Sequence, residues 1–162
     1  AEGERLCRLL GLEPLRLPQG AKSAYHAGAV IASNYVVTLA DIAARVAVAA
    51  GVEPAMASRI YLPLLRGAIE SLEGLPAASA LTGPIVRGDV ATVRAHLQAL
   101  SGDDRRRYAV LGEATLVLAL EAGLDRARAG ELRQLLGEAA RSTRAGTSGG
   151  ATDPPPGRRP EP

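Results

Sequence analysis

The feature that most constrains this chain is a run of 30 residues, 21–50, that holds no proline and consists mostly of Ala, Val, Ile and Leu. As a helix it would be about 45 Å long. Its polar residues are Lys22, Ser23, His26, Ser33, Asn34, Thr38, Asp41 and Arg45, and at 100° per residue they fall within a sector of about 160°. The remaining sector, about 200° wide, is apolar, which predicts a central core helix surrounded by other helices. The longest uncharged run inside it, residues 27–40, has 14 residues. That is short of the roughly 20 needed to span a bilayer, so no transmembrane helix and no membrane partner are expected.

The flanking sequence predicts further helices. Gly51 ends the long helix, and Glu53-Pro54 opens another that runs to about Leu72, with Pro54 in the tolerated first turn and a kink at Pro63. Residues 74–88 are rich in Gly, Pro, Ser and Thr and read as a structured loop. Asp89 caps a helix to about Leu100, Asp103 or Asp104 caps one to about Ala122, and Asp125 starts a last helix ending near Arg141. At the start, Leu6, Leu9 and Leu10 have helical spacing and Gly11 follows as a stop. Residues 13–18 then alternate apolar and polar between two prolines, as a brief strand does. A helix and an orphan strand, with no Met at position 1, predict the end of an α/β domain lying upstream; removal of an initiator Met is the alternative. Residues 142–162, with Pro154-Pro155-Pro156, lack core-forming residues and are expected to be a disordered tail. The expected fold is therefore all-α: a helical bundle around one long central helix over residues 20–141, preceded by a helix-strand remnant in residues 1–19.

Composition removes several functions. Nineteen basic residues, 18 of them Arg, stand against 17 acidic ones, and the aromatics are four Tyr with no Phe or Trp. A nucleic-acid interface needs a concentrated basic face with stacking residues, so no nucleic acid is expected as partner. One cysteine, Cys7, and two histidines provide neither an internal disulfide nor a zinc cluster. No basic segment followed by an apolar one opens the chain, so a cytoplasmic location is expected.

Two runs together point to a family. They are Tyr25-His26-Ala27-Gly28-Ala29-Val30-Ile31-Ala32-Ser33-Asn34-Tyr35 and, after Leu64-Leu65-Arg66-Gly67, Leu81-Thr82-Gly83-Pro84-Ile85-Val86-Arg87-Gly88-Asp89. In that order they resemble the C-terminal helical domain of unknown function found behind a Rossmann-like domain in predicted bacterial oxidoreductases, within the superfamily of domains like the C-terminal domain of 6-phosphogluconate dehydrogenase. The resemblance covers roughly residues 9–121. It implies an upstream nucleotide-binding domain carrying the Gly-x-Gly-x-x-Gly loop, which does not occur in this sequence. It also implies NAD or NADP as cofactor, bound mainly by that missing domain, a small-molecule substrate, and a homodimer built by the helical domain. Several enzymes of the superfamily place a catalytic Lys on the first long helix with Asn one turn later; here Lys22 has His26 four residues on.

Lys22, His26 and Ser33 lie within about 40° of one another on the helical wheel and form one polar edge of an apolar helix. A carbonyl or imine reduced by hydride needs a proton donor, which His26 or Lys22 can supply. The alternative for His26 is a core histidine bonded to a backbone carbonyl, and for Lys22 a solvated first-turn residue. Ser33 and Asn34 are candidate substrate contacts, with Asn34 bonding a neighbouring helix as the structural alternative. Arg87 can clamp a carboxylate or phosphate or form a salt bridge to a nearby acid. Gly83 allows close approach of a cofactor or a positive φ. Asp89 reads as a helix cap, Asp41 and Arg45 as an i,i+4 pair, and Arg105-Arg106-Arg107 as a solvated charge cluster. Two functions fit: the substrate and dimerisation domain of an NAD(P)-dependent oxidoreductase, or a non-catalytic ligand-binding or protein-interaction module.

Overall fold

A computed structural model describes residues 2–141 of the 162. Among them the chain forms eight helices and no strand: α1 Glu2–Leu9, α2 Lys22–Ala49, α3 Pro54–Ile60, α4 Leu62–Gly74, α5 Ala77–Ala80, α6 Val90–Ala99, α7 Gly102–Glu121 and α8 Arg126–Arg141. The fold is all-α, as the periodicity predicts. The expected tail over residues 142–162 lies outside the described residues. The chain packs as two compact units divided between Ile69 and Glu70, inside α4.

In the first unit α2 is a single helix of 28 residues. No side chain caps its start, where Ala21 stands. Its end is closed by Gly51 at φ 94°, with the Val52 N–H bonded to the Ala47 carbonyl at 3.0 Å and the Gly51 N–H to that of Val48 at 2.9 Å. A left-handed glycine followed by a bond reaching back into the last turn is the Schellman type of helix stop. Helix α2 packs mainly against α3, and Ala47 of α2 and Ala57 of α3 are buried. Ala47 is the one fully buried residue of α2, so the expectation of an enclosed core helix is corrected. A wide apolar sector needs cover from several neighbours, and within the first unit that cover comes mainly from the short α3. By length and composition α2 is also apolar enough to cross a membrane, which the 14-residue run did not reveal because that run stops at His26, whereas no Asp, Glu, Lys or Arg occurs over residues 23–40.

Two further expectations change. The helix expected over residues 54–72 with a kink at Pro63 is instead broken at Tyr61 into α3 and α4. Pro63 has no N–H to donate to the carbonyl four residues back, and its ring crowds that carbonyl. Residues 13–18 carry no strand, because an extended segment becomes one only against a partner, and none pairs with it among the described residues.

The second unit holds the core. Helices α7 and α8, joined by a short turn at residues 122–125, form a hairpin, and α5 and α6 pack against it. The core comprises Ile85, Val93, Leu97, Ala109, Leu116, Ala119, Ala129, Leu132, Leu136 and Ala139. Leu116, Leu132, Leu136 and Val93 are its largest enclosed side chains, each worth about 1.5–3 kcal/mol of transfer free energy. The α7–α8 crossing is close because Gly112 faces Leu136: a β-carbon on Gly112 would stand 2.7 Å from Leu136 Cδ2. Asp125 caps α8 by accepting from the N–H groups of Ala127 and Arg128, each at 3.0 Å, as expected. Helix α7 begins at Gly102, one residue before the aspartates expected to cap it, and no side chain bonds to its first turn from Ser101.

Candidate functional site

The expected site residues fall in both units, and each group stands on its own element. Lys22, His26, Ser33 and Asn34 belong to α2, and all four are exposed. Lys22 and His26 are one turn apart on the same edge, and neither side chain has a hydrogen-bond or ion-pair partner among the described residues. The reading of His26 as a core histidine bonded to a carbonyl is therefore corrected: α2 is too little covered for a residue on this edge to be enclosed.

Ser33 and Asn34 meet each other. Ser33 Oγ lies 2.7 Å from the Ala29 carbonyl and 2.9 Å from Asn34 Oδ1. One hydroxyl hydrogen cannot serve both acceptors. When Ser33 donates to Ala29, the Asn34 amide must present its N–H to Ser33 Oγ and turn its oxygen outward, an orientation that the shape of an amide group leaves open. Thr38 likewise donates to the Asn34 carbonyl at 3.2 Å. Such bonds to the carbonyl four residues back satisfy a hydroxyl within its own helix, which leaves the Asn34 amide as the group on this strip with capacity to spare. Asp41 and Arg45 form the expected pair at 3.1 Å, exposed on both sides, and worth a few tenths of a kcal/mol, about 0.3–0.5.

Of the loop expected over residues 74–88, residues 77–80 instead form the short helix α5, and the structured loop follows it over residues 81–89 in the second unit. Ile85 anchors the loop in the core. The Asp89 N–H bonds the Pro84 carbonyl at 2.9 Å and the Gly88 N–H that of Ile85 at 3.1 Å. Gly88 is buried at φ 67°, where a β-carbon would stand 3.0 Å from Leu124 Cδ1 and 3.1 Å from Arg128 Cβ. Both the backbone angle and the space exclude a side chain. Gly83, at φ 104°, has open space beside it. Asp89 is a cap, as predicted: its Oδ1 accepts from the Thr92 N–H at 3.0 Å and its Oδ2 from the Thr92 hydroxyl at 2.7 Å. The Thr92 hydroxyl, then the Thr92 N–H, and more weakly the charges of Arg87 and His96 hold the Asp89 carboxyl below the usual carboxylate range. With both oxygens of Asp89 engaged by Thr92, Arg87 stays exposed and makes no ion pair among the described residues. The alternative of a salt bridge is not realised there.

Sequence reasoning missed one pair. His96 Nδ1 lies 2.9 Å from the Tyr108 hydroxyl, with the rings edge to face at 5.7 Å, and burial pushes the Tyr108 phenol up. The two residues lie on different helices across the break at Gly102, so no periodic signal links them. The arginine cluster is self-compensating at Arg107, which reaches Asp104 at 2.7 Å and Asp103 at 3.7 Å, but it is not solvated throughout: Arg105 is half-buried, and its enclosed Nε has no hydrogen-bond partner among the described residues. An open hollow of about 430 Å³ lined by Asp103, Arg106, Arg107, Val110 and Leu111 lies beside it. No group of three or more His, Cys, Asp or Glu able to hold a metal occurs among the described residues.

Comparison with known families finds a match to the model of a domain of unknown function (DUF2520), over residues 1–115. No curated protein and no solved structure matches the chain.

Proposed function

The chain thus belongs to the DUF2520 family, and from that premise and the geometry of α2 we propose that it is the helical substrate-binding and dimerisation domain of an NAD(P)-dependent oxidoreductase. In this reading the parent enzyme is cytoplasmic and moves a hydride to or from a small carbonyl or imine. The observation that carries the reading is the pair His26 and Lys22, one turn apart on an exposed edge and without partners among the described residues. Unpaired polar groups at helical spacing on an otherwise apolar helix are available to a ligand.

Each residue has a role. As a carbonyl accepts a hydride its oxygen gains negative charge, and His26 supplies the proton that neutralises it. Lys22 stabilises that charge from the adjacent turn. Ser33 and Asn34 orient the substrate on α2; in the second unit, Arg87 offers a two-pronged guanidinium able to hold a carboxylate or phosphate. Gly83 borders the cofactor. The described residues include no strand leading through a Gly-rich turn into a helix, so they do not seat the dinucleotide's pyrophosphate. A nucleotide-binding domain outside them does so in this reading, with α1 and residues 13–18 as its last elements.

The second reading, a non-catalytic ligand-binding or protein-interaction module, draws on the exposed apolar surface of α2. The discriminating experiment is a cofactor titration followed by turnover. Residues 1–162 alone are expected to leave NADH and NADPH fluorescence unchanged. The same chain joined to its nucleotide domain is expected to bind one of them and to oxidise it in the presence of small carbonyl or imine compounds. Tight cofactor binding by residues 1–162 alone would overturn the division of labour, and cofactor binding without turnover of any such compound would favour the second reading.

A further inference from the structure

Helices α6 and α8 start at one corner of the second unit. Gly88 stands one residue before Asp89, the cap of α6, and packs against Leu124 and Arg128, which lie on either side of Asp125, the cap of α8. Gly88 is buried, and the place a β-carbon would take on it is 3.1 Å from Arg128 Cβ and 3.3 Å from Cγ. The stem of Arg128 therefore lies against the loop backbone. Arg87 precedes Gly88, and consecutive α-carbons are about 3.8 Å apart, which puts the α-carbons of Arg87 and Arg128 within about 10 Å of each other. Two extended arginine side chains, each about 7 Å long by ordinary bond lengths, span that distance with length to spare, and both are exposed.

The acids around this corner are engaged elsewhere. Both oxygens of Asp89 are taken by Thr92, and Asp125 Oδ1 accepts from the N–H groups of Ala127 and Arg128. Glu131 touches Arg128 at 3.4 Å with both side chains more than half exposed, and a solvated pair of that kind holds its partners weakly. From this juxtaposition we propose that Arg87 and Arg128 bracket a small dianion, a phosphate monoester or a dicarboxylate, at the Gly88 corner. A guanidinium presents paired N–H donors in a rigid fork that matches the oxygens of either group. One fork serves one carboxylate; two forks brought in from a loop and a helix balance two negative charges, so the bracket favours a dianion over a monoanion. The core anchor at Ile85 and the packing of Gly88 on α8 fix the spacing of the two stems, so binding orders little beyond the side chains themselves. The helix starts are capped by their own aspartates and serve to place the arginines. The inference rests on the role given to Arg87 under the proposed function and adds Arg128 and the charge of the ligand. Binding is read without turnover, so its failure and a failure of hydride transfer are separate results.

The test uses the full 162-residue chain, labelled with nitrogen-15 and titrated at constant ionic strength with methyl phosphate and, separately, with malonate. The amide signals of Gly88, Asp89 and Arg128 are expected to shift saturably with at least one of the two, at a dissociation constant on the order of 1–10 mM. Acetate, with a single charge, is expected to bind about 10-fold more weakly or less tightly still. Saturation with methyl phosphate alone would assign the site to phosphate monoesters, and saturation with malonate alone to dicarboxylates. Arg87→Ala and Arg128→Ala are each expected to weaken binding by about 10-fold or more, at unchanged circular dichroism because both side chains are exposed. Arg133→Ala, exposed on the same helix and about 140° around it from Arg128, is expected to bind as the wild type does. No saturable shift with either dianion at 100 mM (about 10 times the weakest expected constant) would overturn the proposal. A loss confined to one of the two arginine variants, or acetate binding as tightly as the dianions, would overturn the bracket. Equal weakening by Arg133→Ala would reduce the effect to general surface charge and overturn it too.

Discussion

The close crossing of α7 and α8 makes a quantitative prediction about Gly112. In an exposed helix Gly112→Ala would stabilise by about 1 kcal/mol, because alanine costs less backbone entropy than glycine. Here the new methyl would stand 2.7 Å from Leu136 Cδ2 and 3.2 Å from Cδ1. The Leu136 side chain has no exposed surface and is enclosed by the core, so it cannot swing aside without displacing its neighbours. Overpacking of this kind costs about 1–3 kcal/mol, and the balance should be a net loss of up to about 2 kcal/mol. Leu136→Ala alone opens a cavity at the same place and should cost about 2–5 kcal/mol. The double variant then has room for the Gly112→Ala methyl, so its loss should fall short of the sum of the two single losses by about 1–2 kcal/mol. Urea unfolding of the full chain, followed by circular dichroism at 222 nm, measures all three. A Gly112→Ala protein more stable than wild type, or strictly additive single and double variants, would refute the close approach of the two helices.

Other sites give independent checks. Gly88→Ala combines a left-handed backbone angle with contacts of 3.0 and 3.1 Å to Leu124 and Arg128, and should lower stability by about 2–4 kcal/mol; a neutral result in the same urea experiment would remove the loop's need for glycine. Asp89 is held below its ordinary value of 3.8 in the folded chain, so its contribution is present above the unfolded value and lost as pH falls through the folded one. The wild type should therefore lose melting temperature between neutral pH and pH 3 (roughly a unit below the ordinary Asp value) more steeply than Asp89→Asn, and parallel curves would contradict the cap. Ile31→Ala removes an exposed side chain of α2 and should change the stability of the monomer by no more than about 0.5 kcal/mol. A loss above about 2 kcal/mol, measured at concentrations that keep the chain monomeric, would mean that α2 is enclosed after all.

Much of this architecture is legible from spacing and local chemistry. The caps at Asp89 and Asp125, the stop at Gly51 and the loop before α6 follow from which residues tolerate which backbone angles and which side chains reach a helix's first N–H groups. What the sequence could not convey is cover. The wide apolar sector of α2 requires a partner, but periodicity does not say whether that partner lies in the same unit, and α2 is left largely exposed. At Tyr61 the sequence predicts a kink where the structure has a break, because proline disrupts the turn before it without specifying how far the chain departs. The site shows the same division: the Lys22–His26 edge and the Asp41–Arg45 pair are consequences of 3.6 residues per turn, whereas the His96–Tyr108 contact depends on how α6 and α7 pack.

In the proposed reading the open edge of α2 is a place where chemistry occurs. His26→Ala, in the chain joined to its nucleotide-binding domain, tests it most directly when unfolding free energy and single-turnover hydride transfer are measured on the same preparation. Because His26 is exposed and unpartnered among the described residues, stability should change by no more than about 0.5 kcal/mol. The single-turnover rate should fall by about 10² or more through loss of the proton donor. A variant that turns over at the wild-type rate, stable or not, would contradict the claim.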